Sequence, residues 1–285
     1  QIAGQRNIPL VTTFHSLYKD DFYGATHSHT ITDQLLRSIV KYYEAADAVW
    51  TPTEYSRKKL YGYGYEGQIT VMPNGCDFSV PTDAEYEAYR RQGRMISGVP
   101  PHVPLLIYIG QLKKKKNLDL LTDALDRVHR NHQLFHMCFI GSGPDRDYLE
   151  RRIEHLHLSP HVTFYGKITD REKIKSLLAA STLFLFPSQY DTSALVLREA
   201  AAYSCALLNT QGSATAEATL DGYNGFVTRN TAEAYADRLS QLLKTPKLCE
   251  HAGIAARNTL YVSWNDVITR VEQQYLQILE QRSTP

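Results

Sequence analysis

No stretch of this 285-residue chain is long and apolar enough to span a bilayer; the longest apolar run, around Leu177 to Pro187, is short and interrupted. A cysteine framework is missing as well. Cys76, Cys138, Cys205 and Cys249 are widely scattered without a C-x-x-C pair. They read as buried small hydrophobes in a reducing compartment, not as disulfide or zinc ligands. Net charge is only +1, which argues against wholesale nucleic-acid binding and confines any basic function to a local cluster. No low-complexity stretch suggests disorder, and 43% apolar residues suffice for sizeable cores. There is neither a visible signal peptide nor an initiator Met. The chain opens on Gln1 inside what reads as an element, so the expectation is that its true N-terminus is missing.

What is present is alternation. From Pro104 onward, short β-rich runs ("PLLIYIG", "FHMCFIG", "HVTFYG", "TLFLFP", "CALLN", "GFVT") alternate with helical patterns. Leu118, Leu121, Leu125 and Val128 recur at helical spacing after the first run. Helices are expected near residues 195–203, 213–220 and 231–243. A final amphipathic helix carries Trp264, Ile268, Val271, Tyr275 and Leu279 along one stripe. Strands alternating with helices give β-α-β units and a parallel sheet covered on both faces. The first 75 residues use the same pattern ("IPLVTTF", "AVWTP", "QITVMPNG") but supply only half of a doubly wound sheet. Residues 81–103, with Pro81, Pro100, Pro101 and a polar helix, have the composition of a linker. The reading is two α/β domains, the first incomplete.

In open α/β sheets, ligands bind at the carboxyl ends of strands, where helix N-termini offer free N–H groups. Unusual residues gather there. "IYIGQLKKKKNLDLL" ends a strand on Gly110 and Gln111 and runs into four adjacent lysines, Lys113 to Lys116. That run is either a solvated loop or an anion-binding mouth. Gly141-Ser142-Gly143-Pro144 permits a tight turn, but Asp145 and Arg146 stand where a dinucleotide fingerprint would place its third Gly. In "FPSQYDTSALVLREAA", Asp191 and Glu199 are eight apart, and the N–H groups near Ala194, Leu195 and Val196 would crown a helix ready for phosphate. Asp191 is there either to serve ligand hydroxyls or simply to cap that helix. His27-x-His29 lacks the further ligands a metal site needs and reads as a surface pair. His15, at the carboxyl end of "VTTFH", is a better candidate for a site, against a satisfied interface histidine.

Taken together, "VMPNGCDF", "IYIGQLKKKKNLDLL", "FIGSGPDRDYLE", "VTFYGKITDREKI", "FPSQYDTSALVLREAAAYSC" and "DGYNGFV" occur in the order and spacing of glycosyltransferase family 4. The chain resembles that family from Pro9 to its last helix. The resemblance implies a GT-B fold, two Rossmann-like doubly wound domains with the N-terminal one incomplete. Residues 1–80 would be the second half of an acceptor-side domain, 81–103 the linker, 104–262 the donor-binding domain, and 263–285 a helix crossing back.

The resemblance further implies a retaining hexosyltransferase taking a nucleotide diphosphate sugar, UDP-linked by preference, with catalysis in an interdomain cleft. Lys116 would grip the donor diphosphate, Gln111 standing where the family usually has an Arg. Lys113 to Lys115 would be solvated neighbours. Asp191 would hold donor-sugar hydroxyls and Glu199 the ribose. Gly110, Gly141, Gly143, Ala194, Leu195 and Val196 would line the donor, Ile168 with Gly166 and Lys167 the nucleobase, and His15 the donor sugar from the N-terminal side. Asp in place of Glu at 191 and Ala in place of Gly at 194 leave sugar identity open. No metal and no cofactor are expected beyond the co-substrate. The partners implied are the nucleotide sugar and a hydroxyl acceptor left open among a lipid, a polysaccharide intermediate and a small molecule, with no nucleic acid. The location is cytoplasmic, with peripheral contact at the inner membrane face. The alternative is a catalytically silent nucleotide-sugar-binding module, given Gln111 and the short N-terminal domain; as it stands, the chain is expected to be inactive.

Overall fold

The computed structural model describes residues 2–283. These form two compact units, one of residues up to Gly75 together with those from Val262 onward, the other spanning Cys76–Tyr261.

In the first unit, α1 (Ile2–Gln5) precedes β1 (Val11–Thr13), α2 (Tyr18–Thr26), α3 (His29–Glu44), β2 (Ala48–Thr51), α4 (Glu54–Gly62) and β3 (Ile69–Val71). The strands make a parallel sheet in the order β1-β2-β3, with Thr12 opposite Val49 and Val49 opposite Ile69. α3 forms because Thr32, Leu36, Val40 and Tyr43 return to one face, and the Ser28 side chain caps it by accepting from the Ile31 N–H. That face packs with Phe14, Val49, Leu60 and Ile69. Phe14 meets Tyr43 edge-on at 5.8 Å. α2 buries no residue and so leaves no periodic signal to read.

The second unit holds α5 (Asp83–Ser97), β4 (Leu105–Ile109), α6 (Leu118–Arg130), β5 (His136–Ile140), α7 (Arg146–His155), β6 (Val162–Gly166), α8 (Arg171–Ala180), β7 (Leu183–Phe186), α9 (Leu195–Ala202), β8 (Ala206–Thr210), β9 (Phe226–Thr228), α10 (Ala232–Leu243) and α11 (Pro246–Thr259). Its six strands are all parallel, in the order β6-β5-β4-β7-β8-β9. Leu105 to Tyr108 and Leu183 to Leu185 are 0% exposed, as continuous apolar runs must be when helices cover both faces. Leu118, Leu121, Leu125 and Val128 of α6 are likewise buried, each contributing about 1.5–3 kcal/mol of hydrophobic stabilisation. Chain direction along the sheet reverses at one place, between β4 and β7. All four cysteines are buried and unpaired.

Two expectations need correction. The helix expected near residues 213–220 is a single 3-10 turn at Ala214–Ala216. The buried Asn209 amide takes the Thr215 carbonyl at 3.3 Å, and the Thr219 N–H bonds Ala216 instead, so the α-helical ladder cannot continue. The polar helix expected within residues 81–103 is α5, closed by a Thr82–Glu85 capping box and a left-handed Gly98. That helix packs on α8, where a Cβ on Gly93 would strike the Ser176 carbonyl. The last helix, α12 (Trp264–Ser283), belongs to the first unit, but its buried stripe is displaced. Val267, Val271 and Ile278 pack with Trp50 and Met72, while Ile268 and Leu279 are 50% and 52% exposed.

Candidate functional site

The order reversal between β4 and β7 parts the loops that follow them, and in such sheets that crevice is where ligands sit. The loop after β4 carries the lysines and the loop after β7 carries Asp191. Lys113 is extended, Lys114–Lys116 make one 3-10 turn, and Asn117 ends it in the left-handed conformation at φ 60°. The Asn117 amide donates to the Pro187 carbonyl at 3.1 Å and to Asn230 Oδ1 at 2.7 Å. It thereby ties the lysine turn to the end of β7.

The turn sorts the lysines. Lys114 is exposed, its N–H donating to Asp145 Oδ2 at 2.8 Å and its Nζ lying 4.7 Å from the Tyr148 ring centroid. Lys116 is mostly buried and its Nζ donates to Asp191 Oδ1 at 2.6 Å, with side-chain exposures of 14% and 19%. Asp191 Oδ2 is buried and has no protein partner, an acceptor left over at the crevice. Behind it, Ala194 begins α9 without a side-chain cap. The first N–H groups of that helix, at Leu195 and Val196, thus keep the donor potential of an uncapped N-terminus.

Gly110, Gly141 and Gly143 serve packing between loops. Gly141 has φ 135°, and a Cβ there would collide with the Gly110 carbonyl. One on Gly143 would collide with the Leu112 carbonyl. Backbone bonds from Gly110 to Ile140, Leu112 to Ser142 and Gly141 to Gly166 lace the ends of β4, β5 and β6 together. The buried Tyr108 hydroxyl donates to the Gln111 carbonyl at 3.1 Å, leaving the Gln111 side chain exposed. Ile168, just beyond β6, packs partly buried on the core, with Lys167 exposed beside it.

Glu199 lies in the second turn of α9, and burial pushes its carboxyl pKa upward. The Arg171 guanidinium opposes that shift and Asp77 adds to it. Lys116 and Asp191 are therefore brought into contact, with Gly110, Gly141, Gly143, Ile168, Ala194, Leu195, Val196 and Glu199 all on segments following β4 to β7. His15 belongs to the first unit, just past β1, where water reaches its ring and desolvation by surrounding protein lowers its pKa. His27 ends α2 in the left-handed conformation and His29 stacks on Tyr23 at 4.5 Å. Among the described residues no three His, Cys, Asp or Glu side chains are grouped to hold a metal ion. No helix among the described residues is long and apolar enough to cross a membrane.

Sequence reasoning gave Asn117 no role and passed over Tyr190. Asn117 carried a signal, a residue tolerant of left-handed backbone directly after the lysine run. Tyr190 carried none beyond adjacency to Asp191.

Comparison with known proteins agrees with this fold. A model described as glycosyl transferases group 1 matches residues 90–259, and one described as glycosyltransferase family 4 matches residues 1–80. The chain is 25% identical over 185 residues to N-acetyl-alpha-D-glucosaminyl L-malate synthase of Bacillus anthracis, covering 64% of this chain and 48% of that protein. Its fold matches sucrose-phosphate synthase of Thermosynechococcus elongatus with a TM-score of 0.81 at 21% identity, over 99% of this chain and 70% of the other. It also matches Anabaena HepE in complex with UDP and glucose, with a TM-score of 0.74 at 19% identity, over 98% and 73%. The chain spans about half the length of the curated relatives it matches. A parallel sheet with its polar residues at one order reversal, and a group 1 model matched across the sheet that carries them, lead to one assignment: the chain belongs to the group 1 glycosyl transferases, family 4 enzymes of GT-B fold.

Proposed function

We propose that this protein is a retaining hexosyltransferase that moves a sugar from a nucleotide diphosphate donor, UDP-linked by preference, to a hydroxyl acceptor. The observation that carries the reading is the Lys116–Asp191 contact at the β4/β7 crevice, with Asp191 Oδ2 unpartnered beside an uncapped helix N-terminus. Lys116 and the α9 N–H groups face where a diphosphate would lie, and charge growing on the departing phosphate is what such groups stabilise. A fixed ammonium supplies this without a metal ion, and no cofactor enters beyond the donor itself. Asp191 Oδ2 accepts from donor-sugar hydroxyls, Glu199 from the ribose, and Ile168 borders the base. The role proposed for His15 is contact with the donor sugar. The UDP preference is supported by HepE, whose fold this chain shares and whose structures hold UDP, glucose or UDP-glucose.

A nucleoside diphosphate is already a good leaving group, so a covalent enzyme intermediate is not required. Asp191, engaged with hydroxyls and Lys116, is a poor nucleophile. Front-face substitution, with the leaving phosphate oxygen taking the acceptor proton, retains configuration. The reaction belongs where nucleotide sugars are held, in the cytoplasm, at the inner membrane face for a lipid acceptor. The test is a panel of UDP-, GDP- and ADP-sugars, scored by calorimetry and by donor hydrolysis in excess EDTA. Tighter binding of GDP than UDP, or an absolute Mg²⁺ requirement, would overturn the donor reading. Binding without transfer or hydrolysis would favour a catalytically silent nucleotide-sugar-binding module.

A further inference from the structure

The proposed function uses one lysine of four, yet the structure sets a second beside it. A 3-10 turn has three residues per revolution, so consecutive side chains leave it in three directions. Lys114 leaves toward α7 and Tyr148. Lys115 and Lys116 both turn toward the segment after β7, their Nζ atoms 4.6 Å and 5.7 Å from the centroid of the half-buried Tyr190 ring. Two ammonium groups therefore share one aromatic residue, and the next residue, Asp191, pairs with Lys116.

Like charges repel one another. The Tyr190 ring lowers that cost through its quadrupole, and Asp191 lowers it by pairing with Lys116. The neighbouring helix N-terminus adds positive potential of its own. A diphosphate ester, with negative charge on two adjacent phosphoryl groups, complements two ammonium groups better than one. The arrangement is also fixed in place, because Asn117 ties the lysine turn to Pro187, three residues before Tyr190.

We infer that Lys115 is a second phosphate ligand of the donor site and that Tyr190 is the residue that positions it. The inference rests on the reading of Lys116 as a diphosphate ligand. Tyr190 acts through the face of its ring, so its hydroxyl is dispensable. Lys114, aimed at a different ring, takes no part.

Calorimetric titration with UDP and with uridine, at low and high salt, tests this on the wild type and on single variants. Lys115→Ala should weaken UDP binding about tenfold at low salt, the scale of one charge-assisted contact, and leave uridine binding unchanged. Retained uridine affinity shows that the variant is folded. Tyr190→Phe should keep UDP affinity and Tyr190→Leu should lose several-fold, which separates the ring from the hydroxyl. Lys114→Ala should stay within about twofold, as for a screened surface charge. Equal effects of Lys115→Ala and Lys114→Ala would overturn the inference. If Lys116→Ala weakens UDP and Lys115→Ala does not, the inference falls while the proposed function stands. If Lys116→Ala leaves UDP affinity intact, or the wild type binds no nucleoside diphosphate, the functional reading falls and this inference with it.

Discussion

Lys116 and Asp191, 75 residues apart in the chain, meet at 2.6 Å across the crevice between β4 and β7. If Lys116 follows the charge onto the leaving phosphate, Lys116→Ala should cost about 3 kcal/mol of transition-state stabilisation, on the order of a hundredfold in rate. Lys114→Ala removes the same charge from an exposed neighbour and should cost under about 1 kcal/mol. The comparison is kcat/KM for both variants at low and high salt. Equal, strongly salt-sensitive losses would mean that the run acts only as a diffuse basic patch.

Gly141 makes a prediction about folding rather than chemistry. Its φ of 135° and its contact with the Gly110 carbonyl leave no room for a side chain. Gly141→Ala should destabilise the second unit by about 2–4 kcal/mol, combining backbone strain with overpacking. Chemical denaturation measures this. A loss below about 0.5 kcal/mol, the range of neutral surface changes, would show that the loops are not held as described.

Two histidines set an acid limit on stability. Burial lowers the pKa of His136, whose Nε2 lies 2.8 Å from Thr163 Oγ1, and of His161, with the nearby His129 also disfavouring charge on His161. The unfolded chain therefore binds protons first as pH falls below the ordinary value of about 6.5. Stability contributed by these groups is full above that pH and is lost as pH drops toward their folded-state values. His136→Gln should flatten the dependence of Tm on pH between about 7.5 and 5. An unchanged slope would remove His136 from the account.

Glu199 should make nucleoside binding pH-dependent in the opposite range from an exposed acid. Burial raises its pKa, so it gains a proton at a higher pH than an ordinary glutamate. In the role proposed for it, its carboxylate would accept from ribose hydroxyls, and the protonated acid would accept less well. Uridine, which has no phosphate to titrate, should bind more weakly as pH falls through that raised value, and Glu199→Gln should abolish the trend. A trend that persists in Glu199→Gln would assign it to another group.

The sheet was legible because its strands are unbroken apolar runs such as "LLIYI", which few other structures tolerate. What escaped had no hydrophobic period. α2 buries nothing, and α11 packs through Cys249, Ala252, Gly253 and Ala256, small residues whose value lies in close approach. A Cβ on Gly253 would strike the Ser204 carbonyl. α12 carries two overlapping apolar stripes, and only contact with Trp50 and Met72 decides which is buried. At the site, strand-end polar residues announced Lys116 and Asp191. The Lys115–Tyr190 contact depends on which way a 3-10 turn points, and no spacing in the sequence encodes that.

The strand order has a consequence for how the candidate site and the fold depend on each other. β4 lies beside β7 only after the chain has gone out through β5 and β6 and come back, so the lysine turn and Asp191 are joined by long-range pairing and by nothing local. The pocket therefore exists only when both halves of the sheet are assembled on each other. If a nucleoside diphosphate binds there as proposed, it would hold the two halves together and by mass action raise the unfolding temperature of the whole six-stranded sheet instead of stiffening one loop.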